Sequence, residues 1–383
     1  MTFNNNESFY LYIFNLRRRL SKRKYFNELI RLFFLDEENI FLFTLIRREL
    51  KKLSIAQAEE YEDWILKRFG VCKIYKSVRK KIAFVDHSFH CKTASSMFFI
   101  YELEKKFDVD IFWSSRWKGV PDKYLENLYK FYQHAIYWQV LPDLHVCHPR
   151  NTLVIPMWDA VYNEYDSFYL KYKDFRFLSF SYALHEKCLQ NGIKSDYVKV
   201  FPKTLNLKNR KDDESKEPII YFWQRTDDFT WQDLKTIIAG NCVGKVLLCN
   251  AVDPGCSFIP PSTSDIVNYS IEIIPWNKSH AELIACLSST DIYVAPRKVE
   301  GIGFSFIEAI ECGCTIICNN SSTMNEYIDD STGYVVDYSK PMPLDLSEWK
   351  KKKESMREKY IAEKSKDINF LEKIEYIAEE FFR

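Results

Sequence analysis

The chain has 383 residues, 46% of them hydrophobic and 28% charged, enough for two domains with a core each. Its formal net charge of +1 provides no global field for a polyanion, so no nucleic-acid partner is expected. Eleven cysteines, an odd number with no C-x-x-C pair, argue against a secreted disulfide framework and predict a cytoplasmic location.

Residues 1–79 read as a helical N-terminal segment. Basic clusters such as Arg17-Arg18-Arg19, Lys22-Arg23-Lys24 and Arg47-Arg48 alternate in it with apolar stretches. Phe26, Leu29, Ile30 and Phe33 fall at helical spacing and predict a buried stripe over a packed subdomain. The same basic helices, with Phe34, Phe41 and Phe43, also suit an anionic surface. A peripheral contact of residues 1–75 with the inner face of the membrane therefore stays open. The polar start, Asn4-Asn5-Asn6-Glu7, is not that of a signal peptide. The longest apolar run, 40–46, falls far short of the ~20 residues that span a bilayer.

From Lys81 the pattern turns to strand, loop and helix. Ile82-Ala83-Phe84-Val85 reads as a strand, Thr93 to Lys106 as a helix and Val109-Asp110-Ile111-Phe112 as the next strand, with further strands at 135–138, 152–155 and 177–180. Residues 203–217 are charged without apolar periodicity and read as a linker. A second series of strands follows at 219–222, 245–248, 271–274, 292–294 and 315–317. Strands alternating with helices predict an α/β chain with parallel sheets covered on both faces. The expected division is 1–79, 80–205, 206–345 and a tail of charged helices at 346–383.

The most informative stretch is Glu300-Gly301-Ile302-Gly303-Phe304-Ser305-Phe306-Ile307-Glu308-Ala309. It follows the strand-like run Asp291-Ile292-Tyr293-Val294-Ala295-Pro296 and leads into a helical pattern that stops at Gly313. A strand, a glycine-bearing turn and a helix start form an anion site, because the free N–H groups of the first turn and the helix dipole favour negative charge. The glycines allow close approach of a ligand to the backbone. Acidic side chains beside such a site suit hydroxyl groups, as in a ribose or a sugar ring.

This stretch resembles the donor-binding motif of retaining glycosyltransferases of the GT-B fold, the large family that includes sucrose synthase and bacterial mannosyltransferases. The resemblance runs from Pro296 and Glu300-Gly301-Ile302-Gly303 through Glu308-Ala309 and Gly313. It continues over Thr315-Ile316-Ile317, Asn325-Glu326-Tyr327-Ile328 and Gly333-Tyr334-Val335-Val336. It is strong over about residues 270–337, weak over 80–270 and absent before 80. It implies two Rossmann-like domains facing a cleft, with the N-terminal segment as an extra helical part. It also implies transfer of a sugar from a nucleotide-sugar, with retention, to a glycan, lipid-linked or protein acceptor in surface polysaccharide or glycoconjugate synthesis. No cofactor and no bound metal are implied, the nucleotide-sugar being a substrate.

By the same resemblance, Glu308 holds the ribose hydroxyls and Glu300 contacts the transferred sugar, lined by Gly301, Ile302, Gly303, Phe304 and Ser305. A local reading competes for Glu308: Ser305-Phe306-Ile307-Glu308 is also a capping box. Arg225 stands where the family places an arginine against the diphosphate, where a cation would neutralise the leaving group. The family's following lysine is missing, Thr230 and Trp231 standing there, and Arg297 and Lys298 are candidates to supply the charge. Asp159, in Met157-Trp158-Asp159, stands where the family often has His-Asp, and is a candidate to face the acceptor or the reacting centre. The family's glycine pair after the first strand is replaced by Asp86-His87-Ser88-Phe89-His90-Cys91. His87, His90 and Cys91 do not make a structural zinc set. Asp108-Val109-Asp110 opens a strand after a helix and is read as topology. The missing Lys, His and glycine pair leave a nucleotide-sugar epimerase or a non-catalytic binding or scaffold subunit of the same fold as the alternative.

Overall fold

The computed structural model describes residues 80–382 apart from 88–89, 91–94, 115–131, 146, 202–216, 254, 276–279 and 367–369. The helical reading of 1–79 and nearly all of the predicted linker lie outside the described residues. The chain packs as two compact units, one of residues up to Pro156 with Asp174–Phe177 and Leu371–Arg383, the other of Met157–Lys173 and Leu178–Phe370.

The first series of elements is β1 (Lys81–His87), α1 (Met97–Glu104), β2 (Asp108–Ser114), β3 (His134–Trp138), β4 (Thr152–Ile155), α2 (Trp158–Val161), α3 (Asp166–Leu170), β5 (Arg176–Ser179), α4 (Tyr182–Gln190) and β6 (Lys194–Tyr197). The strands form a sheet in the order β2-β1-β3-β4-β5-β6, parallel at β1–β2, β1–β3, β3–β4 and β4–β5. The central strands β1, β3 and β4 are buried along nearly their whole length and mostly apolar, as a sheet covered on both faces demands. Trp138 closes the core of the first unit, its ring 5.2 Å from Phe99 and 6.0 Å from Phe84. Asp108-Val109-Asp110 does open the edge strand β2. Near the carboxyl end of β1, where the sequence has no glycine pair, Asp86 is buried. Its carboxylate accepts the His87 N–H at 2.7 Å and the Ser96 hydroxyl at 2.6 Å, and pairs with His90 Nδ1 at 2.6 Å.

The second series is β7 (Ile219–Trp223), α5 (Trp231–Ile237), β8 (Lys245–Cys249), α6 (Thr263–Asn268), β9 (Ile271–Ile274), α7 (His280–Ser288), β10 (Ile292–Val294), α8 (Phe304–Glu311), β11 (Thr315–Asn319), β12 (Tyr334–Val336), α9 (Trp349–Lys366) and α10 (Phe370–Phe382). The sheet order is β12-β11-β10-β7-β8-β9, parallel throughout. This is the doubly wound order, and its direction of winding reverses between β7 and β10. Ligands of such sheets bind beyond the carboxyl ends of the strands at that reversal. The strands predicted from the sequence are all present; β6 and β12 were not predicted.

The final helix α10 belongs to the first unit. It buries Ile374, Ile377, Ala378 and Phe382. The Phe382 ring lies 5.2 Å from Phe107 and 5.1 Å from His134, and Glu380 pairs with Arg176 at 2.7 Å. Among the described residues no helix is long and apolar enough to cross a membrane.

Candidate functional site

The sheet order of the second unit brings three loops together. Strands β10, β7 and β8 are neighbours, so the residues just past their carboxyl ends converge. These are Arg297 and Glu300 after β10, Arg225 after β7 and Asp253 after β8.

They form one charged network. Arg225 donates from Nε and Nη2 to Asp253 Oδ1, at 3.1 and 3.0 Å. Its guanidinium lies 4.5 Å over the Trp223 ring. Arg297 donates from Nη2 to Asp253 Oδ2 and from Nη1 to Asp159 Oδ2, the latter at 3.0 Å. Burial works to raise the Asp253 pKa, but Arg225 and Arg297 outweigh it and hold the carboxyl below its ordinary range. Asp159 goes the other way: burial raises it beyond what Arg297 and Arg225 recover. Burial disfavours the Arg297 charge, yet Glu300, Asp253 and Asp159 more than offset this and raise its pKa.

Glu300 is 5% exposed, and burial raises its pKa against the pull of Arg297 and Arg225. Its Oε1 has no hydrogen-bond partner among the described residues. A buried polar atom left unpaired is costly and calls for an explanation. The backbone beside it is fixed by Thr323, whose hydroxyl donates to the carbonyls of Glu300 and Gly301 at 3.0 and 2.8 Å. Gly301 has no room for a side chain, since a Cβ there would lie 2.9 Å from both Asp159 Oδ1 and Met157 Cβ. Beneath the site the buried Tyr293 ring stacks on Tyr221 at 5.7 Å.

Gly303 turns the chain into α8. It is the N-cap, in the left-handed region at φ 82°, which favours glycine. Its carbonyl accepts from the N–H groups of Phe306 and Ile307, both at 3.1 Å. The N–H groups before them have no carbonyl within the helix to meet and form its positive end. This corrects the capping-box reading. With Gly303 as N-cap, Ser305 is already the second residue of the helix and cannot cap it, and Glu308 lies beyond the first turn, half-buried. Ile302 is buried, while Phe304 and Ser305 are half-buried.

The structure thus joins Glu300, Asp159, Arg225 and the 301–305 turn, and adds Asp253, Tyr293 and Thr323, to which the sequence gave no role. Lys298 is not part of the network: its carbonyl accepts from Asn319 at 2.6 Å. It adds a minor pull on Asp337, whose carboxyl is lowered mainly by hydrogen bonds from Ser339. The position of the missing lysine is filled structurally. Thr230 caps α5, accepting nothing in the way of charge, and its N–H donates to Asp233 at 2.8 Å. Trp231 is buried, its indole N–H donating to Asp265 at 3.1 Å. Among the described residues no group of three or more His, Cys, Asp or Glu side chains could hold a metal ion.

Residues 270–367 match the family model described as glycosyl transferases group 1. No curated protein matches the sequence. Among solved structures, sucrose-phosphate synthase from Thermosynechococcus elongatus is similar at 13% identity and a TM-score of 0.54, covering 79% of this chain and 99% of its own. A glycosyltransferase from Rickettsia africae is similar at 16% identity and a TM-score of 0.53, covering 80% of this chain and 100% of its own. HepE from Anabaena, solved in complex with UDP and glucose, follows at 12% identity and a TM-score of 0.52, covering 79% of this chain and 99% of its own. At these identities the likeness is one of fold, the two-domain Rossmann-like GT-B fold.

Proposed function

We propose that this chain, which has the GT-B fold and matches the glycosyl transferases group 1 model over residues 270–367, transfers a sugar from a nucleotide-sugar, with retention, to a glycan, lipid-linked or protein acceptor. The observation that carries the donor-site reading is Glu300, a buried carboxylate whose Oε1 is unpartnered beside a glycine with no room for a side chain. A sugar hydroxyl donating to Oε1 would satisfy it. In this reading the turn 301–305 lines the sugar and the positive end of α8 takes the diphosphate. Arg225 neutralises the leaving group as the glycosidic bond breaks, and Glu308 accepts from the ribose hydroxyls. Asp159 acts at the reacting centre through Arg297, whose guanidinium it positions. Transfer needs no metal, because the helix end and the guanidinium carry the charge. The setting is surface polysaccharide or glycoconjugate synthesis in the cytoplasm.

Calorimetric titration with UDP, GDP and ADP, with and without magnesium, tests this. One of them is expected to bind equally well in both conditions, and binding of none would overturn the donor assignment. Glu308→Gln is expected to weaken the bound nucleotide by about 1.5–3 kcal/mol, the range for hydrogen bonds to charged groups. Since Gly303 is the cap, the same change should leave stability in place. Unchanged nucleotide affinity would remove Glu308 from the site.

A further inference from the structure

Two guanidiniums at the carboxyl ends of β7 and β10 are each fixed by a group of their own. Arg225 rests on the Trp223 ring at 4.5 Å. The Trp223 indole N–H in turn donates to the Ala251 carbonyl. Arg297 is held through Nη1 by Asp159 at 3.0 Å. Arg225 Nε and Nη2 and Arg297 Nη2 point at Asp253, which uses one carboxylate oxygen for each arginine. Unlike Glu300, this meeting point is open to water. The side chains of Asp253, Arg225 and Arg297 are 17%, 19% and 26% exposed.

Two planar cations converging on one small anion make a geometry suited to a phosphate group. The charge count decides how a phosphate could enter. Asp159, Asp253 and Glu300 face Arg225 and Arg297, three acids to two bases. A diphosphate added to that set would meet repulsion from a carboxylate already on its own donors. Exchange for Asp253 removes that repulsion and reuses the three donors now on its carboxylate. The Asp253 backbone is tied to the β7 loop by its N–H, which donates to the Arg225 carbonyl at 2.8 Å, so only the side chain has to turn away.

We propose that Asp253 is an internal stand-in for the donor diphosphate, holding Arg225 and Arg297 in place until a nucleoside diphosphate exchanges for its carboxylate. This rests on the donor-site reading above and assigns Asp253 as the residue that sets diphosphate affinity, as a competitor and not as a ligand. Removing a competitor has an unusual signature, a gain of affinity. Asp253→Asn and Asp253→Ser are compared with the wild-type chain by calorimetric titration with UDP, GDP, ADP, inorganic pyrophosphate and the nucleosides without phosphate. Asp228→Asn serves as the control, since it removes an equal charge from a neighbouring loop acid that is exposed. Thermal melts certify that each variant is folded, and either folded Asp253 variant decides the matter. The nucleoside diphosphate and pyrophosphate are expected to bind the Asp253 variants at least about fivefold more tightly, with nucleoside affinity unchanged and the control like wild type. Equal or weaker diphosphate binding in the variants, with the wild type binding normally, overturns the exchange and leaves the donor site standing. An equal gain in the control also overturns it. Failure of every form to bind any nucleotide or pyrophosphate overturns both readings.

Discussion

At the scale of single residues the turn of the site depends on Gly303. Gly303 combines a φ of 82° with a Phe306 ring placed where a Cβ would come within 1.9 Å of it. Gly303→Ala is therefore expected to destabilise the fold by more than about 2 kcal/mol, from left-handed backbone strain and overpacking together. Nucleotide binding should fall with it, because the same turn aims the end of α8. Urea unfolding beside a nucleotide titration checks this; an alanine variant of wild-type stability would show that the turn relaxes. The sequence made this glycine legible as a point of close approach, and it made Glu300 and Glu308 legible by their spacing. It misled at Ser305, because a Ser-x-x-Glu pattern looks the same wherever it sits relative to the helix start, and only the backbone reversal at Gly303 fixes that start. Asp253 was not legible at all. Nothing in an Asp-Pro-Gly loop says which guanidiniums it meets; that follows from the order β10-β7-β8, in which strands distant in sequence lie side by side.

At the scale of elements, Glu326 is a joint that the sequence offered only as part of a motif. It ends the short turn Met324–Glu326. Its Oε1 accepts the Tyr182 N–H at 2.8 Å, the Ser181 hydroxyl at 3.1 Å and the Ser322 hydroxyl, and its Oε2 accepts the Tyr197 hydroxyl at 2.8 Å. Helix α4 has Ser181 as N-cap but no cap bond from that side chain. Glu326 supplies the missing acceptor and a negative charge at the positive end of the helix. The neighbouring Tyr327 hydroxyl bridges both the N–H and the carbonyl of Val200, at 2.8 and 3.0 Å. These bonds explain why residues 178–201 pack with the second series of strands. Glu326→Ala should cost about 2–4 kcal/mol, a lost cap plus buried donors without an acceptor. Glu326→Gln should recover part of it, as one amide oxygen remains. Urea unfolding with unchanged slope measures this, and a loss under about 0.5 kcal/mol would show that water replaces the carboxylate. Most strands were legible as short β-branched and aromatic runs. β6, Lys194-Ser195-Asp196-Tyr197, was not, because it is polar and half-exposed and is held by its neighbours and not by its own composition.

At the scale of the whole molecule, the tail is part of the first core. The sequence showed charged helices after residue 346, and only the family resemblance, in which a final helix packs back on the N-terminal domain, pointed to their destination; the charge-rich composition of α9 and α10 does not. The four apolar residues of α10 buried in the first unit, with the Arg176–Glu380 pair, contribute on the order of 5 kcal/mol. Deleting residues 371–383 should leave Phe107 and His134 uncovered and make the first unit the preferred target of limited proteolysis, while the second series of strands stays protected. Equal protection of both in the truncated chain would show that α10 only decorates the surface. The placement of that helix also orders events during synthesis. The strands β1 to β4 leave the ribosome early, yet their covering helix is encoded more than 200 residues later. At the usual ~5–20 residues per second, the nascent sheet waits roughly ten to forty-five seconds with an apolar face unsheltered. The second unit has most of its residues available within that interval, so the half that is made first is the half that finishes last, and it is during that wait that a chaperone has most to protect.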